Sequence, residues 1–381
     1  MQKVINNAKE QIKMNSISVI EVFIAHKRIG RLALTPDNLC AFEYDADWLS
    51  DGYSISPFFL PLKSGLQIAK RNPFAGGFGV FDDSLPDGWG SLILDRYLMQ
   101  QGVNPYKLTL LDRLSLIGST GRGALEYRPD KSVSVNDDFR DFDKIARDAE
   151  IILGDKKGEV SVDDLYRYGG SSGGARPKIF TTIEGRHWLV KFRASLDALN
   201  IGEEEYNYSL LAKECGIIMS ETKLFDGKYF ATERFDRINN HKIQTISAAG
   251  LLNADYRIPS LDYSLLLKLT LQLTRDMKQV NQMFRLMVFN ILISNRDDHA
   301  KNFSFQYFDG TWKLSPAYDI LPSTGFNGFH TTTINGQGEP NLKDVLVVAK
   351  EVGISKSEAK NIVDELTQTC YTQKLLKVNL K

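Results

Sequence analysis

The sequence predicts an α+β protein with a strand-rich N-terminal part and a mainly helical last third. Three features carry this: β-rich runs around a polar turn near the N-terminus, a middle segment ordered glycine loop–strand–strand–helix–hairpin, and an apolar repeat of helical period between residues 280 and 292. At roughly 150 residues per domain, the 381 residues point to two or three domains.

Residues 18–25 (SVIEVFIA) and 29–34 (IGRLAL) read as a hairpin turning at His26 to Arg28. Short apolar runs with Gly/Pro punctuation follow, then helical spacing over 89–101 and 112–117. The polar stretch 128–141 (RPDKSVSVNDDFRD) is the expected boundary, placing a β-rich unit at 17–130. A second unit, 131–237, holds a helix over 141–153 and the cluster Gly169-Gly170-Ser171-Ser172-Gly173-Gly174. Strands at 177–183 and 187–192 come next, then a helix over 203–215 and a hairpin over 222–234 turning at Asp226-Gly227. From 238 to 381 the chain reads as helical, with Val280, Met283, Phe284, Met287, Val288, Ile291 and Leu292 on a buried helix. A hairpin at 303–314 interrupts the helices, and a capping box at Ser355 and Glu358 starts the last one.

Composition narrows the class. With 47 Lys plus Arg against 47 Asp plus Glu, the formal charge is zero, and no whole-molecule field draws the chain to nucleic acid or an anionic membrane. The three cysteines lack metal-ligand or disulfide-framework spacing, which fits a reducing compartment such as the cytoplasm. Residues 1–15 lack the apolar core of a secretory signal, and no apolar run reaches the ~18 residues of a membrane span.

The chemistry is concentrated after the buried helix, at Arg296-Asp297 followed five residues on by Asn302. Phosphoryl transfer from ATP needs a carboxylate beside the attacking hydroxyl and an amide oxygen near the phosphates for a divalent metal. Protein kinases use H-R-D-x-x-x-x-N; here Asn295 stands for the histidine. One hairpin later, Asp319 falls where a second metal-binding carboxylate is expected, and Mg²⁺ accepts such a small oxygen set. Lys191, on an otherwise apolar strand, is the candidate phosphate lysine, with Glu203, Glu204 or Glu205 as its partner. The glycine cluster offers backbone N–H groups to phosphates, and Lys178 adds charge. The segment Glu233 to Arg237 sits where a two-lobed kinase has its hinge.

At these residues the chain resembles the HipA-like serine/threonine kinases, toxin halves of bacterial toxin–antitoxin pairs. The resemblance runs through Phe81-Asp82-Asp83-Ser84-Leu85-Pro86-Asp87, Gly121 to Leu125, Ser171 to Lys178, Val190-Lys191, Glu233 to Arg237, Asp297-Asp298-His299-Ala300-Lys301-Asn302-Phe303 and Tyr318-Asp319-Ile320. It implies a two-lobed protein-kinase-like fold with an N-terminal β-rich subdomain and a mainly helical C-terminal lobe. By the resemblance Asp297 is catalytic, and Asn302 and Asp319 hold Mg²⁺. Gly173, Gly174, Ala175, Arg176, Lys178 and Lys191 contact ATP phosphates; Glu233, Phe235, His299, Lys301 and Tyr318 complete the nucleotide site. Autophosphorylation falls on Ser171 or Ser172. The implied partners are a protein substrate, an aminoacyl-tRNA synthetase in studied members, and a DNA-binding antitoxin that alone touches DNA. Asp298 departs from the family's usual glycine and is expected to add charge beside the base; Arg176-Pro177 replaces a Gln-Glu pair. Rival readings are a non-catalytic nucleotide-binding scaffold for an antitoxin and a small-molecule kinase.

Overall fold

The computed structural model describes residues 16–133, 141–154, 160–325, 327–378 and 380. The expected absence of a secretory leader at 1–15 and half of the boundary stretch, residues 134–140, lie outside them. In the first hairpin β1 (Val19–Ile24) buries Ile20 and Val22, and antiparallel β2 (Lys27–Leu34) buries Ile29 and Leu32. The pairing skips Ile29, a bulge that turns its side chain inward. Ala25 and His26 make the turn with φ of 46° and 69°, a residue earlier than the sequence suggested, because Lys27 already pairs with Ile24. Next come β3 (Cys40–Tyr44), α1 (Ala46–Asp51), β4 (Gln67–Ile68), α2 (Gly79–Asp82), α3 (Gly88–Gln100), α4 (Leu110–Ile117) and β5 (Glu126–Arg128). Helix α4 starts at a reciprocal box between Thr109 and Asp112. The strands form one sheet in the order β4-β3-β2-β1-β5.

The middle of the chain supplies α5 (Phe142–Leu153), α6 (Val162–Gly169), β6 (Lys178–Ile183), β7 (Arg186–Lys191), α7 (Ile201–Glu214), β8 (Thr222–Phe225) and β9 (Tyr229–Glu233). Its antiparallel sheet runs β6-β7-β9-β8. The first half of the glycine cluster is the end of α6, a helix the sequence reading did not foresee; Gly170 caps it.

After β10 (Arg237–Ile238), β11 (His241–Lys242) and β12 (Gln244–Ser247) come α8 (Ala248–Leu252), β13 (Leu261–Asp262), α9 (Tyr263–Thr274) and α10 (Met277–Leu292). The hairpin β14 (Ser304–Phe308) and β15 (Thr311–Leu314), then β16 (Thr332–Thr333), α11 (Leu342–Glu351) and α12 (Lys356–Thr372), complete the chain. β12 joins the hairpin in a three-stranded sheet, an addition to the expected helical lobe. Its four residues are too short a run for a period-two signal to show.

Two apolar cores result. One joins Ile20, Phe42 and Phe81 of the N-terminal part to Met283, Phe289 and Ile293 of the helical lobe. The other packs Val190, Phe192 and Tyr229 of the middle sheet on Trp89, Ile93 and Leu98 of α3, a helix about ninety residues earlier in the chain. Most of the residues expected to act in chemistry, Arg176 and Ser172 excepted, line one cleft.

Candidate active site

Helix α10 is buried on nearly every side: Val280, Met283, Phe284, Met287, Val288, Phe289, Ile291 and Leu292 are all 1% exposed or less. Its polar exception is Asn290, whose amide nitrogen donates to the Tyr263 hydroxyl at 3.0 Å and whose oxygen accepts from Asn295 at 3.1 Å. Asn295 also donates to the Asp319 carbonyl at 3.4 Å, so the helix end fixes two loops of the cleft together. Asn295 thus ties the loop that ordinary kinases anchor through a histidine.

Asp298 adds charge beside Asp297, as its place in the sequence led us to expect, but its carboxylate faces the interior and serves a second purpose. It is fully buried and accepts hydrogen bonds from the Tyr263 hydroxyl (2.9 Å) and from the Thr331 and Thr332 amides (2.9 and 3.2 Å), with His330 Nδ1 at 2.8 Å. A carboxylate with this many partners is a structural hub holding the segment 330–332 against the loop. The neighbouring Asp297 lines a cavity of about 410 Å³. Desolvation within the cleft raises the Asp297 pKa; His299 opposes the shift and the Asp319 charge adds to it. Asn302 donates its amide nitrogen to the Asp297 carbonyl at 2.7 Å, which leaves its side-chain oxygen for another ligand.

The strand lysine is held by two carboxylates. Lys191 Nζ donates to Glu205 at 2.5 Å and to Asp319 at 2.6 Å, which identifies Glu205 as the helix partner that spacing left open. Burial works against the charged amine, but Asp319 and Glu205 outweigh it and raise the Lys191 pKa. Burial alone raises Asp319 as well, yet the Lys191 and Lys178 charges hold its carboxyl well below the usual range. Asp319 has φ +58°, a left-handed conformation uncommon outside glycine.

Gly173, Gly174, Ala175 and Lys178 line the same cavity. Lys178 donates to the Gly173 carbonyl at 2.5 Å, and burial, with Lys191 close by, pushes its pKa down to about 8. Among the described residues the Ala175 and Arg176 amides have no hydrogen-bond partner. The Arg176 side chain turns aside to Asp197 (2.9 and 3.1 Å) and lines a second cavity behind Glu205. Ser171 lies on the main cavity, donating to the Thr120 carbonyl at 3.1 Å. Ser172 is buried and donates to the Gly169 carbonyl at 2.6 Å.

Glu233, Phe235, His299, Lys301 and Tyr318 line the same cavity. The Glu233 carboxylate is engaged by Arg186 (2.6 Å), and the Phe235 carbonyl accepts from Gln306 at 2.9 Å. Tyr318 donates to the Lys301 carbonyl at 2.5 Å, and its ring lies 5.5 Å from that of Phe235. His299 Nδ1 is buried with no partner among the described residues, a polar atom that a bound ligand can satisfy. Asp87, Arg122 and Tyr256 also line the cavity and carried no role in the sequence reading. For Asp87 the signal was present in the turn Leu85-Pro86-Asp87-Gly88, which opens α3.

Comparison with known proteins identifies the family and the fold. A family model described as the HipA-like C-terminal domain covers residues 170–374, and one described as the HipA N-terminal domain covers 20–128. A Sinorhizobium fredii protein named "Putative kinase Y4dM" is 23% identical over 349 residues, spanning 84% of this chain and 81% of its own. A Haemophilus influenzae protein with a kinase name is 25% identical over 202 residues, 46% of this chain and 59% of its own. A chain in the Shewanella oneidensis MR-1 toxin–antitoxin complex of HipA, HipB and operator DNA superposes with TM-score 0.70 at 18% identity, covering 95% of this chain and 92% of that one.

Proposed function

Since the chain belongs to the HipA-like family and has its kinase-like, two-lobed α+β fold, we propose that it is an ATP-dependent serine/threonine protein kinase, the toxin of a toxin–antitoxin pair. One observation carries the reading: Lys191, gripped by Glu205 and Asp319, opens on the same cavity as Asp297 and Asn302. In this reading Asp297 orients the substrate hydroxyl and accepts its proton, a task that its raised pKa suits. Lys191 and Lys178 face the phosphates, and the free Ala175 and Arg176 amides donate to phosphate oxygens. Phe235 and Tyr318 flank the base, and Glu233 starts the hinge.

The donor set fits a divalent metal: Asn302 keeps a free amide oxygen, and Asp319 meets Lys191 through one of its two carboxylate oxygens. When bound, Mg²⁺ neutralises charge on the phosphates. The chain's own residues supply alignment, which together with electrostatic stabilisation is the larger part of catalysis in phosphoryl transfer, and Asp297 takes the proton.

Ser171, on the cavity wall, is the candidate autophosphorylation site ahead of buried Ser172. We further assign a DNA-binding antitoxin as partner, by analogy with the Shewanella complex, and a cytoplasmic protein as substrate. Among the described residues no helix is long and apolar enough to cross a membrane. The test is incubation of purified protein with γ-labelled ATP and a bacterial lysate, comparing wild type with Asp297→Ala. Label on protein that depends on Asp297 supports the proposal. Unchanged labelling in the variant, or transfer only to a small molecule, refutes it.

A further inference from the structure

Asp87 occupies the N-cap of the thirteen-residue helix α3, yet its side chain makes no capping hydrogen bond to that helix. An aspartate there ordinarily accepts from the amides two or three residues on, a contact worth about 1 kcal/mol. Here the carboxylate reaches across the cleft instead. One oxygen accepts from the Gly174 amide of the glycine loop, and the other pairs with Lys301 Nζ of the catalytic loop at 2.6 Å. Both side chains of that ion pair are nearly buried, 11% and 13% exposed, so solvent screens the contact little.

The backbone around Asp87 closes on the loop as well. The Trp89 amide donates to the Gly174 carbonyl at 2.9 Å. A Cβ on Gly90 would lie 2.1 Å from the Ser172 carbonyl oxygen. Only glycine permits that approach. The glycine loop is therefore not the free flap that its composition suggests. It is pinned at Gly174 from outside the middle sheet, while the next two amides, Ala175 and Arg176, have no partner among the described residues and Ala175 lines the cavity.

We propose that Asp87 is a positioning residue for the nucleotide: it clasps the glycine loop to the catalytic loop, making the N-terminal unit part of the phosphate site. The inference rests on the kinase reading for its consequence, but the clasp itself does not. Asp87 touches no reacting atom; it sets where the Ala175 and Arg176 amides stand relative to Lys301. Removing it frees the loop and leaves Lys301 unpaired in the cleft.

The test combines two readouts on full-length protein: amide hydrogen exchange of the segment 170–176, and ATP dissociation constant with kcat and KM. In Asp87→Ala, exchange over 170–176 rises about tenfold or more, the scale of a lost hydrogen bond to a charged group, while the strands β6 and β7 keep wild-type protection. ATP affinity falls by a similar factor and KM rises more than kcat falls. Asp87→Asn keeps an acceptor for Gly174 but not the charge for Lys301, so it lies between, and Gly90→Ala loosens the same segment from the other side. Wild-type exchange over 170–176 in Asp87→Ala overturns the clasp. Uniform acceleration across the middle sheet, or local loosening with unchanged ATP affinity, overturns the positioning role. If the wild type binds no ATP, the kinase reading fails by itself and the exchange data still judge the clasp.

Discussion

Replacing Lys191 by methionine probes the centre of the site without relying on activity. Methionine fills similar volume but leaves Glu205, whose side chain is 4% exposed, without its 2.5 Å partner. Breaking a buried ion pair from one side costs about 3–5 kcal/mol. Arg176 remains 3.6 Å from Glu205 and compensates in part, so the lower end, about 3 kcal/mol, is expected. At about 2.1 cal/mol/K per residue, a chain of 381 residues unfolding as one unit loses roughly 4 °C in Tm. The pH dependence carries the sign. Asp319 has a depressed folded pKa, so its stabilising contribution is present above the unfolded value near 4 and is lost as pH falls further. Lys191→Met removes the main charge behind that depression. The wild-type advantage is therefore full at pH 7 and narrows below about pH 4. Calorimetric scans at several pH values measure it. A variant as stable as wild type at pH 7, or a gap that widens in acid, refutes the triad as the structure draws it.

Other consequences are independent of that one. Asp297→Ala should lower phosphoryl transfer by about 10²–10⁴-fold, the range of a positioned general base, with little change in ATP affinity by direct titration. Lys178, with a pKa near 8, should lose its charge in mildly alkaline buffer, so ATP affinity falls as pH rises through 8; Lys178→Met should flatten that profile, and ATP should shield the amine from acylation. Asp298→Ala strands the Tyr263 hydroxyl and two amides in the interior and should destabilise by several kcal/mol, at about 1–3 for each group left unsatisfied; urea unfolding measures it. Cys40, whose thiol burial pushes up to about 12, should resist alkylation at pH 8 in folded protein and react once unfolded.

The local signals in the chain translated well into elements. The turns at Glu184-Gly185, Asp226-Gly227 and Asp309-Gly310 all have both residues at positive φ, as the Asp-Gly pairs of the last two favour and the glycine of the first permits. The nearly all-round apolar pattern of α10 is that of a helix buried over most of its length, with exposed residues only near its start. The order of Asp297, Asn302 and Asp319 along a loop and hairpin was legible because backbone connectivity keeps such neighbours close in space.

What spacing could not settle were contacts between segments far apart in sequence. Glu203, Glu204 and Glu205 are equivalent as letters; only the placement of α7 against β8 and β9 turns Glu205 to Lys191 and leaves Glu203 exposed. Asp298 looked like a second acid beside the base, and burial against Tyr263 and the 330–332 segment made it a hub. Asp87 lies 87 residues before Gly174 and 214 before Lys301, so no local pattern marks the pair it makes. Sequence determined the chemical types and the longer elements, though not α6 or β12, because propensity and periodicity act over a few residues and need a run long enough to show. Tertiary structure alone decided which carboxylate meets which cation, because that depends on packing two cores against a shared cleft.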